Sequence, residues 1–467
     1  MRLLIVAVVF ALFTYLFYKA AGTLSPKKLN MISFSYYLIL IFAFVGASCV
    51  FCGFRNHYLI QKVSETTIDK TYMILCYTIL VLPLTIWICN ILLGVKNMKR
   101  EYTSYLQKET VWRGSSGSMF AITVVLTVVS LASMVYVFWI MGYFPPLAFL
   151  TKSADELNLM RIQDTRGFTG NSYIRDIVMC TMTPLVSYIA YIYMRKTKEP
   201  KWMILFALLF VATVVVKTYN FEKAPVVYYV LYLYILEVLM GNIKSLKALG
   251  IVGAVGGVVV FLFYYVISGY SGDLFTISSG PGGRIFMTQI ATLFLHVDAF
   301  PNVHPFLQGT SLPTLFTDFL GITESWVRSG GIVMGIYNQA AVSQGIAGVM
   351  NSIFAAEAWA NWGVTGVAIA PVIVGAIYSA CTCLAVKCRK TPAMMVIYLI
   401  FFINFTTALL GGFVDYLYPL MTIVFAIVFY VLEIIGNKGY LSFKPGGVSP
   451  VWLKEVSAEE KREDTKQ

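Results

Sequence analysis

The stretch SMFAITVVLTVVSLASMVYVFWIMGY, residues 118–143, contains no charged side chain in 26 consecutive positions. A helix needs about 20 apolar residues to cross the hydrocarbon layer of a membrane. The stretch therefore predicts a transmembrane helix. Similar runs occur near 3–21, 31–53, 72–94, 176–194, 202–219, 224–241, 248–270, 363–386, 393–413 and 414–436. They predict an all-α polytopic integral membrane protein with about eleven transmembrane helices, within a range of about 10 to 12.

The composition is also typical of an integral membrane protein. Of the 467 residues, 58% are hydrophobic and 12% are charged, whereas about 25% are charged in soluble domains. The formal net charge of +12 is also typical of nucleic-acid-binding proteins. Here, however, lysine and arginine gather in the short loops between helices, as the positive-inside rule expects. We therefore predict no nucleic-acid partner.

The distribution of the cations also predicts the orientation and the domain boundaries. The cation-rich short loops fall on one side when the helices alternate, and that side is predicted to be cytoplasmic. The N-terminus then faces outward, as do two long loops at about 144–176 and 271–350. Residues 1–436 form one transmembrane domain. The charged segment 437–467 is predicted to be a cytoplasmic, largely disordered tail.

The two outward loops are the parts of the chain in which a function is expected, because long loops in compact proteins usually carry one. In the first loop, Ser153 and Glu156 have the spacing of a capping box, which predicts a short helix there. In the second loop, GPGG at 280–283 precedes Arg284 and an amphipathic stretch. That stretch is expected either to lie along the interface or to dip into the protein.

Cations in the outward loops are candidates for binding an anionic substrate. Arg284 is expected at the start of a helix, where unpaired backbone N–H groups favour phosphate. Arg161 and Arg166 lie in the first loop, and Lys223 lies in the short outward segment YNFEKAP at 219–225. Each also has an ordinary structural interpretation, in which it forms a salt bridge or extends toward lipid head groups.

The second loop and its exit also contain candidate general bases. His304 lies in an outward segment rich in proline, and Glu357 lies among alanines near the membrane surface. A buried glutamate at that depth requires a partner. The sequence contains no Walker A motif, Rossmann glycine fingerprint or HExxH motif. We predict no metal site and no cofactor, so the driving force is expected to come from the substrate itself.

The order of these segments resembles the Wzy-type family of O-antigen and oligosaccharide repeat-unit polymerases. The resemblance covers about 160–385 and rests on the following segments: RIQDTRGFTG (161–170), YNFEKAP (219–225), GPGGRIFMTQ (280–289), FPNVHPFLQGTSLP (300–313) and AAEAWANWGVTGV (355–367). Many members have an arginine near the YNFEKAP position, where this chain has Lys223. A lysine retains the charge but lacks the bidentate geometry of arginine.

The resemblance implies a metal-independent glycosyl transfer at the outer face of the bacterial cytoplasmic membrane, in a protein resembling the GT-C-like architecture. Donor and acceptor would both be glycans linked to undecaprenyl pyrophosphate, and a chain-length regulator would be a partner. Arg166 and Arg284 would hold the pyrophosphate, with Lys223 and Arg161 as further candidates. His304 or Glu357 would activate the acceptor hydroxyl.

Two other functions stay open on the sequence. An O-antigen ligase uses the same donor but transfers the glycan to a different acceptor. A transporter or flippase for lipid-linked oligosaccharide would carry cations along helices that line a central cavity. The mid-membrane stretches of this chain are nearly free of charge, which favours an enzyme acting at a fixed face.

Overall fold

The computed structural model describes residues 1–112, 116–222, 224–243, 245–261, 276–278, 280–319, 321, 326–345 and 347–436. Within these ranges every regular element is helical. The predicted tail at 437–467 and Lys223 lie outside the described residues. The α-helices in chain order are α1 (Arg2–Ala21), α2 (Met31–Ile39), α3 (Val45–Phe51), α4 (Glu65–Leu92), α5 (Met98–Gln107), α6 (Ser116–Met141), α7 (Pro145–Thr151), α8 (Ala154–Arg166), α9 (Thr183–Thr197), α10 (Pro200–Thr218), α11 (Ala224–Leu239), α12 (Lys247–Phe261), α13 (Gly280–Gly283), α14 (Gln289–Ala299), α15 (Thr314–Phe319), α16 (Ser329–Tyr337), α17 (Gln339–Ser343), α18 (Phe354–Lys387), α19 (Pro392–Ala408), α20 (Val414–Leu417) and α21 (Leu420–Gly436).

Five shorter helical segments join or extend these helices. Two are 3₁₀ turns, at Pro26–Lys28 and Ile60–Lys62. Three are π-helical, at Leu40–Phe44, Ile174–Met182 and Arg284–Thr288. The first π segment joins α2 to α3, the second leads into α9, and the third joins α13 to α14, so each lies within a longer continuous helix.

The prediction of a multi-pass membrane protein is confirmed. Within the described residues, eight helical segments are long and apolar enough to cross a membrane. Three shorter apolar helices, at Ala224–Leu239, Leu249–Val258 and Pro392–Ala408, fall where further transmembrane runs were predicted. The eight segments are Arg2–Lys28, Met31–Phe51, Glu65–Leu92, Gly117–Met141, Ile174–Thr197, Pro200–Thr218, Phe354–Lys387 and Val414–Gly436.

The ends of these helices form two opposite faces. We call the end that includes segments 22–30, 93–112, 194–201 and 387–391 the basic face. We call the end that includes the described parts of 142–173 and 276–353 the loop face. Helices α1 and α4 are joined at both ends: Arg2 pairs with Asp69 at 2.9 Å on the loop face, and Asn90 donates to the Ala20 carbonyl at 3.0 Å near the basic face.

The long helix α18 packs along α4, and the two run in the same direction from the loop face to the basic face. Lys70 lies 4.4 Å from the ring centre of Trp359 near their beginning. Ser379 donates to Asn90 at 2.7 Å near their end. Gly375 lies against Thr85 so closely that an added Cβ atom would meet the Thr85 side chain at 2.8 Å. Packing against α4 therefore fixes the position of the beginning of α18.

The amphipathic stretch of the second loop dips into the protein, which confirms one of the two predicted alternatives. Residues 280–299 form one continuous helix that includes α13, the Arg284–Thr288 segment and α14. The Arg284–Thr288 segment packs against Leu40–Phe44, in the middle of the second membrane span. Gly46 permits this approach, because any side chain there would collide with the Phe286 carbonyl.

The first long loop is also largely helical. The capping box predicted at Ser153 is confirmed: the Ser153 hydroxyl accepts from the Glu156 N–H at 3.4 Å, and Glu156 accepts from the Ser153 N–H at 2.9 Å. Helix α8 ends at Arg166, directly before GFTGN at 167–171. The Arg175 guanidinium donates to the Asp164 carbonyl at 2.8 Å, so the end of α8 is fixed against the next span.

Candidate functional site

Helix α18 is broken near the loop face, and this break shapes the candidate site. Gly363 has φ 58° and ψ −133°, which lies outside the helical region. Glycine adopts positive φ at no steric cost. An added Cβ atom at Gly363 would also approach the Phe306 ring to 2.9 Å. The segment before the break, residues 354–362, therefore acts as a separate short helix whose end lies within the protein.

A loop of residues 307–311 binds the polar groups exposed by the break. The Leu307 N–H donates to the Ala360 carbonyl and the Gln308 N–H donates to the Asn361 carbonyl, both at 2.9 Å. The Asn361 amide donates to Ser311 at 3.1 Å and accepts from the Gly309 N–H at 3.2 Å. Carbonyls at a helix end require partners when they are buried. The loop supplies those partners and fixes the short helix.

The short helix presents Glu357 to Arg328 and Asp415, and we call these three residues the Arg328 cluster. The Arg328 Nε donates to Glu357 Oε1 at 2.6 Å, and its Nη2 donates to Oε2 at 3.2 Å. On its other side, the Nη1 of Arg328 donates to Asp415 Oδ1 at 2.9 Å. The guanidinium thus bridges two carboxylates from different helices. Paired N–H donors of this kind give arginine its geometric specificity.

The surrounding backbone completes the binding of Glu357. The Val414 N–H donates to Glu357 Oε2 at 3.0 Å. Gly412 leaves room for the pair, because any side chain there would collide with both Arg328 and Glu357. The prediction that Glu357 requires a partner if it is buried is therefore confirmed. Its partners are a guanidinium and a backbone N–H group.

The three charged side chains differ in their exposure, and this difference indicates where a ligand could enter. The Glu357 side chain is 5% exposed, the Arg328 side chain 24% and the Asp415 side chain 42%. Burial acts to lower the pKa of Arg328, but the two carboxylates outweigh it and raise that pKa. Arg328 therefore stays charged. Of the two carboxylates, Asp415 is the one that faces solvent.

His296 contributes to this site indirectly, through a contact with Ser329. Its Nδ1 lies 2.7 Å from the Thr292 carbonyl, and its Nε2 lies 3.2 Å from the hydroxyl of Ser329, the residue after Arg328. Burial lowers the pKa of His296 to about 4, so the ring is neutral near pH 7. With Nδ1 as the donor, Nε2 accepts from Ser329 and fixes the beginning of α16.

His304, a predicted base, lies on the loop face at the end of the 300–304 turn. Its Nδ1 donates to the Pro305 carbonyl at 2.8 Å. Its ring meets the Phe300 ring edge to face at 5.4 Å. The side chain is partly exposed. This hydrogen bond places a proton on Nδ1, so in a neutral ring the lone pair is on Nε2.

The two arginines predicted in the first loop bind protein groups on the loop face. Arg166 donates to the Gly345 carbonyl at 2.8 Å and also to the Ala347 carbonyl, and these bonds join the first long loop to the second. Arg161 pairs with Glu222 at 2.8 Å. Both side chains are exposed. Neither forms a contact with the Arg328 cluster among the described residues.

Arg284 does not stand at the start of a helix, so the predicted position was wrong. GPGG at 280–283 is the first turn of the helix and not a loop before it. Proline is favoured in a first helical turn, because its missing N–H group has no helical partner there. Arg284 therefore lies one turn inside the helix, with an exposed side chain. Lys223, the remaining predicted cation, is outside the described residues.

Arg328 and Asp415 were present in the sequence but were not selected as site residues. Arg328 is the other arginine of the second loop, and Asp415 follows two glycines between apolar runs. An acidic residue inside an apolar run is a functional candidate, and this signal was available. In the described part of the chain, no group of His, Cys, Asp and Glu residues is arranged to hold a metal ion.

Fold and site together define a multi-pass helical membrane protein with a bridged ion cluster beside a broken helix. Comparison of the chain with known protein families, with curated proteins and with solved structures found no match. The function is therefore argued from the residues of this chain.

Proposed function

We propose that this protein is a glycosyltransferase that joins lipid-linked oligosaccharide repeat units into a polysaccharide. Donor and acceptor are glycans on undecaprenyl pyrophosphate, and the reaction takes place at the outer face of the bacterial cytoplasmic membrane. The protein would belong with the Wzy-type polymerases and the GT-C-like architecture. The product is an O-antigen, capsular or exopolysaccharide chain.

One observation carries this proposal: the Arg328 cluster lies beside the broken helix within AAEAWANWGVTGV, a segment on which the resemblance rests. A preformed guanidinium at a water-accessible edge is suited to a phosphate oxygen. In the resting geometry Asp415 occupies that position. A pyrophosphate that replaced Asp415 would keep Arg328 neutralised and place the leaving group beside the short helix.

The reaction in this proposal is a displacement at the sugar carbon that bears the pyrophosphate. A base takes the proton of the acceptor hydroxyl, and the hydroxyl oxygen attacks that carbon. The bond from carbon to pyrophosphate oxygen breaks, and the lipid pyrophosphate leaves with its electron pair. Cations positioned beforehand stabilise the developing charge. Arg328 joins the predicted Arg166, Arg284, Arg161 and Lys223 as candidates for that role.

The geometry favours His304 over Glu357 as the base. Both oxygens of Glu357 accept hydrogen bonds from Arg328, and one also accepts from Val414. A base needs a lone pair within reach of the proton that it removes. The Nε2 atom of a neutral His304 offers such a lone pair when Nδ1 donates to the Pro305 carbonyl. In this proposal Glu357 positions Arg328 and does not accept the proton.

The proposal is tested with polysaccharide ladders from cells that lack the protein and are complemented at matched membrane levels. We expect the deletion to leave single repeat units and the wild type to restore the ladder. His304→Ala, Arg284→Ala and Arg328→Lys should fail to restore it. Val303→Ala is the control, because Val303 is the exposed neighbour of His304 and should support a normal ladder.

Other outcomes of this experiment select the rival functions. Long glycan that stays on its lipid carrier in the deletion strain would establish a ligase and overturn the polymerase. Lipid-linked repeat units that accumulate on the cytoplasmic side would establish a flippase. A normal ladder with His304→Ala would remove His304 from the reaction, although the polymerase itself would stand.

A further inference from the structure

The basic face contains a cavity that the proposed function does not use. Its volume is about 310 Å³, and its lining includes Lys27, Lys28, Lys108, Lys196 and Glu109. We call it the lysine pocket. The lysines come from the Pro26–Lys28 turn, the end of α5 and the end of α9, so three separate segments converge on one cavity. Ligand cavities begin at about 300 Å³, so the pocket is large enough for a small head group.

The lining of the pocket carries an excess of positive charge. Among the described lining residues, four lysines face one glutamate, which leaves an excess of three positive charges. Among the described residues, the ion pairs of the basic face join Arg195 to Glu237 and Lys201 to Glu199. Neither pair includes a pocket lysine. Like charges held close together repel unless an anion offsets them.

The positive charge of the pocket also affects the pKa of a neighbouring buried lysine, Lys390. Lys390 is 2% exposed. Burial, Lys196 and Lys108 together lower its pKa to about 7. Two pocket lysines therefore act on a third cation inside the protein. An anion bound between them would reduce this repulsion.

The backbone that carries two of the lysines is fixed by buried tyrosines. The Tyr234 hydroxyl donates to the Pro26 carbonyl at 2.8 Å, and the Tyr102 hydroxyl donates to the Leu29 carbonyl at 2.6 Å. These bonds lie on either side of Lys27 and Lys28. The turn is thus held in place before any ligand arrives, which reduces the entropy lost on binding.

The rest of the lining suits a ligand that also has an apolar part. Leu106, Val238 and Ile243 are among the lining residues. The pocket lies where helices α9 and α11 end, at the expected level of the lipid head groups. Basic pockets at such positions recognise anionic head groups, with each cation contributing about 1 kcal/mol near the surface.

We propose that the lysine pocket binds a phosphate-bearing anion, carried either by an anionic membrane lipid or by a soluble phosphate ester. The proposal is independent of the polymerase activity. Lysines that only set the orientation of the protein need no shared cavity and no fixed backbone. The lysine pocket has both features. Its four lysines come from three segments, whereas the neighbouring cavity of about 450 Å³ is lined by one lysine and one arginine from α5 alone.

The test measures ligand-induced changes in Tm for the purified full chain in detergent. The three ligands are phosphatidylglycerol, phosphatidylcholine and glycerol 3-phosphate. The pocket variant is Lys27→Gln/Lys28→Gln/Lys196→Gln. The control variant is Lys96→Gln/Lys198→Gln/Lys201→Gln, which removes the same charge from the basic face outside the pocket. A ligand that binds only the folded protein raises Tm, and the stabilisation increases with the logarithm of the ligand concentration divided by Kd.

We expect phosphatidylglycerol to stabilise the wild type and the control variant, whereas phosphatidylcholine does not. The pocket variant should bind phosphatidylglycerol at least about tenfold more weakly, since three cations are lost. The single variant Lys196→Gln should weaken binding by roughly fivefold, and it serves as the test if the triple variant does not fold. If glycerol 3-phosphate reproduces the effect, the anion is a soluble ester. Equal binding by the pocket and control variants would overturn the proposal, as would equal effects of the two lipids combined with no effect of glycerol 3-phosphate.

Discussion

The Arg328 cluster and the lysine pocket lie at opposite ends of the molecule. They differ in how their positive charge is balanced. On the loop face, one arginine is held by two carboxylates and by the geometry of a broken helix. On the basic face, four lysines surround a cavity with one glutamate among them. The first region has its counter-ions built into the protein. The second region depends on anions from outside.

This difference indicates how the two regions respond to change. A cation that is paired and half-buried contributes to the fold itself, since its loss leaves a buried carboxylate without a partner. A cation on an open surface contributes little to the fold, and its effect appears in binding. Stability measurements should therefore identify the Arg328 cluster, whereas ligand measurements should identify the lysine pocket.

The largest expected effect is that of Arg328→Met. This variant leaves Glu357, which is 5% exposed, without its guanidinium. Removal of one partner from a buried pair costs about 3 kcal/mol, so we expect a clear fall in Tm of the protein in detergent. The double variant Arg328→Met/Glu357→Gln should recover part of the loss, because the buried charge is then gone.

The control for this experiment is Lys201→Met on the basic face. Lys201 pairs with Glu199, and both side chains are about 40% exposed, so its removal should leave Tm nearly unchanged. Equal changes for Arg328→Met and Lys201→Met would contradict the comparison. The Arg328 cluster would then be no more important for folding than a surface pair.

The next effect is expected at the break in α18. Gly363→Ala forces a side chain into positive φ and toward the Phe306 ring. Such backbone strain costs about 2 kcal/mol. Gly53→Ala is the matched control: Gly53 also has positive φ, but an added Cβ atom there meets nothing within 4 Å. We expect a larger fall in Tm for Gly363→Ala than for Gly53→Ala, and the reverse order would show that the break is not held by packing.

The sequence predicted the parts of the structure that depend on neighbouring residues. Apolar run length placed the membrane helices, and the Ser153–Glu156 spacing placed α8. Both signals are local, because they act within one helix or one turn. The requirement of Glu357 for a partner was also predicted, since it depends on burial alone.

The sequence did not predict which residue would satisfy Glu357. Arg328 lies 29 positions before it, and Asp415 lies on a different helix. Their meeting depends on how α16, α18 and α20 pack, which a single sequence does not encode in any local pattern. The predicted apolar run began at 363, but the helical segment before it and the positive φ of Gly363 were not predicted, because a glycine in the sequence does not reveal its backbone angles.

A third effect is expected from Lys390→Met, beside the lysine pocket. The Nζ of Lys390 donates to the Leu106 carbonyl at 3.1 Å and to the Lys108 carbonyl at 2.9 Å, near the end of α5. The pKa of Lys390 is lowered to about 7 in the folded protein, below the ordinary value of about 10.4. Between these values the unfolded chain binds one more proton, so the wild type gains stability as pH rises.

The Lys390→Met variant lacks this proton and should not show that gain. The advantage of the wild type over the variant in unfolding free energy should therefore increase between pH 7 and 9.5, by at least about 1 kcal/mol. Unfolding of both proteins at the two pH values measures this difference. Lys198→Met, which changes an exposed lysine on the same face, should follow the wild type. Parallel pH profiles for Lys390→Met and the wild type would show that Lys390 is charged throughout this range.

The smallest effect on stability is expected from Arg161→Gln on the loop face. Arg161 pairs with Glu222, but the two side chains are 48% and 37% exposed. Exposed pairs contribute less than about 1 kcal/mol, so Tm should change little, in contrast to Arg328→Met. The polysaccharide ladder then separates two roles. A lost ladder with an unchanged Tm would place Arg161 at the substrate, as the sequence predicted, since no loss of folding could account for it. A normal ladder would leave Arg161 as a surface pair and would assign the binding of the anion to Arg328 and the other cations of the loop face.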